Sequence, residues 1–345
     1  MKGTSMLKGA VFGFGNVGQW ITQSINIEKK YGESIKITSI CDVDSNIREK
    51  AERVFHLKAY RNPGEMLENE LDCVFITSTS DAHKQHVLLS AEKDLPIFCE
   101  KPIALNIRDA RAITEAVEKR GLISLVRYVL RYWSCFLSLK KMVDDGELGD
   151  IVSLWARNCR GWGLHASGNV HPAVAHSERS GGWTIHHACH GADLMSWLGG
   201  EIEQVFCQHY TTFTNCKSEE VVWSNIKFTN GTIGMLGDTV AGVHERSVGV
   251  IGTRASASVM FDCVKPLIKI RREGSPDLAA PEIIDPESIC QEIDPVRNFI
   301  EAIQTGAPTL VTVRDAMASL AVSLAMKKSA EQQRVVSVQE IYEND

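Results

Sequence analysis

No stretch of this chain is apolar for long enough to span a bilayer, which takes about 20 consecutive residues, so no membrane anchor is expected. Residues 1–7 run almost directly into the first apolar strand, and a cytoplasmic location is the expectation. Positive charge is not in excess. A formal net charge of -6 gives no electrostatic reason to expect nucleic acid or an anionic membrane as a partner. Nor is there a Cys-x-x-Cys pair. The ten cysteines are scattered, which signals neither a zinc ribbon nor a redox motif. Cys41, Cys73, Cys99 and Cys207 sit in apolar, strand-like contexts, where cysteine behaves as a small hydrophobe. Buried free thiols in a reducing compartment are expected.

What is present is enough for two domains. At 345 residues the chain is too long for one ordinary domain, and its apolar and charged fractions are those of a soluble globular protein. Residues 7–12 are a short apolar run ending at Gly13, the mark of a buried parallel strand. The loop Gly13-Phe14-Gly15-Asn16-Val17-Gly18 follows and leads into a helical stretch over 19–27. In such a loop the first glycine permits the tight turn and the second admits a pyrophosphate to the backbone amides. The third lets helix and strand pack closely. Residues 35–42 form a second strand ending in Asp42, at about the spacing where a carboxylate accepts hydrogen bonds from an adenosine ribose. Such a carboxylate favours NAD over NADP, although Arg48 nearby could accommodate a 2′-phosphate. Asp42 and Asp44 could instead cap the next helix.

Residues 71–76 make another buried strand, followed by the polar turn Thr77-Ser78-Thr79-Ser80 and a helix over 82–92 carrying His83 and His86. Thr77, Ser78, Thr79 and His83 are candidate cofactor contacts. The strand over 95–99 then delivers Glu100 and Lys101 to the carboxyl edge of the sheet, where ligands bind in open α/β folds. Pro102 keeps Lys101 out of helical conformation. A dinucleotide loop followed by an ammonium group at the same rim points to hydride transfer rather than to generic nucleotide binding.

Taken in order, Gly13 to Gly18, Cys99-Glu100-Lys101-Pro102-Ile103-Ala104, Arg131 ahead of Gly146-Glu147-Leu148-Gly149, and the run from Gly181-Gly182-Trp183 through His186-His187-Ala188-Cys189-His190 to Asp193-Leu194 resemble the glucose-fructose oxidoreductase / inositol dehydrogenase / rhizopine catabolism (Gfo/Idh/MocA) family. The resemblance covers nearly the whole chain. It implies an α/β protein with a Rossmann NAD-binding domain over 1–125. A substrate and oligomerisation domain over 126–345 follows, built on a large open, mainly antiparallel sheet that commonly joins copies into dimers or tetramers. It also implies oxidation of a ring hydroxyl of a sugar, cyclitol or glycoside, or reduction of the matching ketone, with NAD or NADP. In the family the position matching His190 is the usual general base. The position matching His186 is usually acidic, and here it is histidine.

The second half supports that architecture from its own pattern. Strands are expected over 151–159, 202–211, 221–228, 232–238, 247–251 and 255–261, and helices over 294–305 and 314–332. The acidic segment 273–294 reads as a surface loop. If 183–198 is mainly helical, His186, His190 and Asp193 share one face. The expected mechanism has neutral His190 take a hydroxyl proton while Lys101 stabilises charge on the same oxygen, with His186 a further catalytic candidate. Arg131, Trp162, His165, Trp183, His186 and His187 are the candidate substrate contacts.

Three rival readings remain on the sequence. His186, His187 and His190, with His165, His171 and His176, could build a metal site, but no glutamate follows the first histidine as in the protease motif, and no metal is expected. Tightly held NAD could instead serve redox-neutral glycoside cleavage. A non-catalytic NAD or sugar sensor would have no chemical need for both Lys101 and His190.

Overall fold

The computed structural model describes residues 6–161, 177–211, 218–276 and 279–343. They form two compact units. The first is Met1–Arg127 with Asp294–Met317, and the second is Tyr128–Ile293 with Ala318–Asp345.

The first unit is built on β1 (Leu7–Phe12), β2 (Ile35–Cys41), β3 (Lys58–Tyr60), β4 (Cys73–Ile76), β5 (Ile97–Cys99) and β6 (Ser124–Val126). All pairings are parallel, in the order β3-β2-β1-β4-β5-β6. Every residue of β4 and β5 is buried, which is why these strands read as continuous apolar runs. The strand order reverses between β1 and β4, the switch point at which ligands bind in open α/β sheets.

After Ile293 the chain returns to the first unit. The helix Pro295–Thr305 begins with Asp294 accepting from the amides of Val296 and Arg297 and with proline in its first turn. Its Phe299 lies edge-on to Phe75 and Phe98, at centroid distances of 5.6 and 5.7 Å. That aromatic trio explains the return, because large apolar rings dominate core energetics.

The second unit carries nine strands: β7 (Ile151–Cys159), β8 (Ile202–Tyr210), β9 (Val221–Phe228), β10 (Ile233–Thr239), β11 (Glu245–Gly252), β12 (Ala255–Met260), β13 (Leu267–Arg272), β14 (Glu282–Ile284) and β15 (Val336–Ser337). Their order is β14-β13-β12-β11-β7-β10-β9-β8-β15, antiparallel throughout except where β7 meets β10. The segment 273–294, expected as loop, contains β14 and a single turn over Pro286–Ser288. A three-residue strand with acidic neighbours owes its existence to pairing with β13 rather than to any periodicity of its own.

One face of this sheet takes the helix Cys189–Gly199. A Cβ on Gly191 would lie 3.0 Å from Leu236, one on Gly199 would lie 2.8 Å from Phe228, and one on Gly234 would lie 2.6 Å from Met195. Small residues along that seam bring the helix down onto the strands and so set the height of His190. On the opposite face, glycines serve tryptophans. The ring of Trp155 covers Gly249 and that of Trp223 covers Gly237, where an added Cβ would meet the rings at 2.2 and 2.3 Å. Trp223, Ile233, Ile251, Met260 and Leu267 all share this face and are exposed.

Candidate functional site

The glycine loop is closed below and open at its middle. Gly13 has a φ of +77°, and a Cβ there would sit 2.4 Å from the Cα of Ser78. A Cβ on Gly18 would meet the carbonyl oxygen of Gly13 at 2.6 Å and the hydroxyl of Thr77 at 2.8 Å. Around Gly15 nothing among the described residues comes within 4 Å of a built Cβ. The middle glycine, the one required for close approach by a ligand, is therefore the one with space in front of it. Gly15 also caps the helix Asn16–Thr22 without any side-chain hydrogen bond. Phe14 is fully buried against Phe55, so its amide rather than its ring faces the loop's business.

Asp42 receives that amide. Its carboxylate accepts from the N–H of Phe14 at 2.7 Å and from the N–H of Asp44 at 2.9 Å. Asp44, not Asp42, is the helix cap, accepting from the amide of Asn46. Each carboxylate oxygen has two lone pairs, so Asp42 can hold the loop and still accept from a ribose hydroxyl. The guanidinium of Arg48 donates to the Asp42 carbonyl at 2.8 Å, which turns it toward the main chain.

The loop after β4 locks these parts together. Thr77 donates its hydroxyl to the Gly13 carbonyl at 2.6 Å, and Thr79 caps the turn Ser80–Ala82. His86 stacks on Phe12 at 4.6 Å with its Nδ1 2.9 Å from the Ser78 hydroxyl, and burial pushes its pKa down to about 4. His83 is buried, with Nε2 3.0 Å from the Ser78 carbonyl and Nδ1 2.9 Å from the Pro102 carbonyl. Burial lowers its pKa as well, against the pull of those two carbonyls. The structure thus places His83 as a link between the Ser78 loop and the Lys101-Pro102 turn, whose peptide bond is cis. Glu100 is nearly buried and accepts from Arg127 at 2.8 Å and from the Lys101 amide at 3.3 Å. Lys101 itself is half-buried.

The second unit holds the histidines. The expected continuous helix is instead a π-helical turn over Thr184–Ala188 followed by the helix Cys189–Gly199. The wider turn changes the phase of side chains before residue 189. His187 is the neighbour whose ring lies against His190, edge-on at 5.9 Å. His186 is half-buried. His187 is buried, with Nδ1 2.9 Å from the carboxylate of Asp238, and it stacks on Trp183 at 4.2 Å. Trp183, expected as a substrate contact, is fully buried and donates its Nε1–H to the same carboxylate at 2.7 Å. The turn begins on Ser218 and Glu219, which accept from the amides of Trp183 and Thr184.

Arg131 is buried and gives two hydrogen bonds to Asp193, at 2.8 and 2.7 Å, with its guanidinium over the ring of Trp197. It therefore fixes the histidine helix. Tyr128, buried beside it, meets His190 edge-on at 5.8 Å. Trp162 and His165, with His171 and His176, lie outside the described residues. Among those described, no group of three His, Cys, Asp or Glu side chains could hold a metal ion.

Sequence reasoning did not single out Asp238, Tyr128 or Arg127. A signal existed for Asp238, since an acidic residue inside an otherwise apolar strand is out of place unless something pairs with it.

Residues 7–128 match a family model described as "Oxidoreductase family, NAD-binding Rossmann fold", and residues 136–258 match the GFO/IDH/MocA C-terminal domain. The chain is 24% identical over 347 residues to myo-inositol 2-dehydrogenase of Thermotoga maritima, covering 96% of this chain and 98% of the relative. It is 25% identical to scyllo-inositol 2-dehydrogenase (NAD(+)) of Bacillus subtilis, over 93% of each. Among solved structures, levoglucosan dehydrogenase in complex with NADH shares the fold, with a TM-score of 0.86 at 16% identity over 96% of this chain and 99% of that one.

Two predictions follow the geometry of the glycine loop and its neighbours. Asp42→Ala is expected to weaken NAD binding about tenfold and to narrow the preference for NAD over NADP. Fluorescence titrations with NADH and NADPH check this, and an unchanged ratio would refute the role of Asp42. The second concerns acid. His86 is held neutral in the fold, with a pKa near 4 against an ordinary 6.5, so its contribution is intact above pH ~6.5 and is lost as pH falls toward ~4. Up to about 3 kcal/mol goes over that window. Urea unfolding at several pH values should show a shallower acid loss in His86→Phe than in the parent; equal slopes would count against this.

Proposed function

The chain belongs to the Gfo/Idh/MocA family of oxidoreductases, and we propose that it is an NAD-dependent dehydrogenase acting on a ring hydroxyl of a sugar or cyclitol, or on the matching ketone. The observation that carries this reading is the open second glycine beside Asp42, in a chain that also has Lys101 at the end of a parallel strand and His190 on a buried helix. The inositol dehydrogenases among its relatives support a ring alcohol as substrate.

The glycine loop, Asp42 and the Thr77–Thr79 turn would hold the dinucleotide. NAD, when bound, supplies the hydride acceptor. The chain supplies the acid-base chemistry: neutral His190 accepts the proton of the reacting hydroxyl, and the Lys101 ammonium donates a hydrogen bond to the same oxygen as its charge develops. Glu100 and His83 hold the backbone on either side of Lys101. Arg131, through Asp193, keeps the helix of His190 in one orientation. That precision matters because alignment is most of what the protein contributes to hydride transfer.

The exposed apolar face of the nine-stranded sheet, centred on Trp223 and Met260, is read as the surface on which copies of this chain associate.

Incubation with NAD and a panel of cyclitols, free sugars and glycosides, followed by NADH absorbance, tests the chemistry. Lys101→Ala and His190→Ala are each expected to lower kcat by about 100- to 10,000-fold. Undiminished rates in both would sink the assignment, and release of an aglycone without net NADH would replace it with redox-neutral cleavage. For the association surface, size exclusion with light scattering should give an oligomer for the parent and monomers for Trp223→Lys with Met260→Lys. A monomeric parent would overturn that part.

A further inference from the structure

The register of β10, β7 and β11 sets Asp238, Asn158 and Arg246 side by side in one row across the sheet. Two residues away along the same strands, Leu236 and Ala156 meet Gly191 of the histidine helix. The row therefore lies on the helix-bearing face, with His187 against its Asp238 end. All three side chains are at least nine-tenths buried.

Their hydrogen bonds do not balance. Asp238 is committed to His187 and Trp183. Asn158 accepts from Arg246 Nε at 2.8 Å, Arg246 Nη1 donates to the Phe261 carbonyl at 3.2 Å, and the guanidinium lies 4.2 Å over the Phe261 ring. Arg246 Nη2 and Asn158 Nδ2 are then left buried, and neither has an acceptor among the described residues. A buried donor without an acceptor has given up its water for nothing.

Positive charge gathers at the Arg246 end of the row. Burial, followed by the nearness of Arg160, pushes the pKa of Arg246 down to about 10, and burial lowers that of Arg160. Asp238 is the carboxylate acting on both, Asp262 being exposed. Asp238, the carboxylate felt by both guanidiniums, already serves a histidine and a tryptophan.

We propose that Arg246 and Asn158 are the recognition point for a carboxylate on the substrate, so that the sugar oxidised is a sugar acid such as a uronate or its glycoside. This rests on the dehydrogenase reading above. Two donors on adjacent side chains match the two oxygens of a carboxylate, and the guanidinium makes one of those hydrogen bonds charge-assisted. A phosphate brings a third oxygen and up to a second charge, for which the row has no donor to offer.

Calorimetry in the presence of NADH tests the assignment, with glucuronate against glucose, galacturonate against galactose, and glucose 6-phosphate as the phosphate arm. At least one uronate is expected to bind about 10- to 100-fold more tightly than its neutral parent. Arg246→Met, which keeps the apolar stem against Phe261, should close most of that gap, and Arg246→Lys should reopen part of it. Asn158→Asp, which adds a like charge beside the ligand, should weaken the uronate more than its parent. Neutral parents binding as well as the acids, a gap that survives Arg246→Met, or preference for the phosphate would each overturn the proposal. A uronate that binds but yields no NADH from NAD would instead overturn hydride transfer and leave the anion site standing. Oxidation of neutral sugars with no gain for the acids would do the reverse.

Discussion

The buried ion pair between Arg131 and Asp193 is the constraint on which the histidine helix depends. Three segments meet at it: the turn Val129–Tyr132 that carries Arg131, the helix Cys189–Gly199 that carries Asp193, and Ser319 of the helix Val313–Gln332, whose hydroxyl donates to the same carboxylate at 2.9 Å. Two parallel N–H···O bonds fix rotation as well as distance. Such a pair adds little net stability relative to a well-packed apolar replacement, yet removing one partner alone strands a buried charge and costs about 3–5 kcal/mol. Its value here is in direction. Asp193 is three residues beyond His190, so the bond that stops the helix from turning also fixes the direction in which the His190 side chain leaves it.

A second carboxylate does similar work one step earlier in the chain. Asp238 takes Trp183 and His187 together, and through them sets the path of the π-helical turn. The acidic residue from a neighbouring strand pairs with His187, the next histidine along from His186. The histidine helix thus has carboxylates on both sides of His190, each already engaged with a partner from another segment.

How much of this was legible depended on whether the information was local. The glycine loop, Asp42 and Lys101 stand at strand ends with fixed spacing, and turns and strand ends are governed by nearby residues. Most strands of the second sheet were visible for the same reason, since alternation is a property of the strand itself. Register is not. The row formed by Asp238, Asn158 and Arg246 exists because three strands align at one position, and nothing within any one of them announces it. Trp183 shows the limit in another form. An indole reads equally well as a pocket wall or as core, and only the partner of its N–H separates the two. The π-helical turn was hidden because its sequence is an ordinary helical one, and the capping by Ser218 and Glu219 comes from far along the chain.

His83 carries a consequence of a different kind. A neutral imidazole has one N–H, and two carbonyl oxygens, those of Ser78 and Pro102, stand within hydrogen-bond reach of its two nitrogens. The proton resides on one nitrogen or the other, so at any instant one loop is tied and its counterpart merely touches a lone pair. The two tautomers are a two-position register, written by whichever carbonyl comes closer. A displacement of the Ser78 loop, which rests directly on the glycine turn, is therefore passed to the lysine-proline turn as a change in which of them owns a single hydrogen.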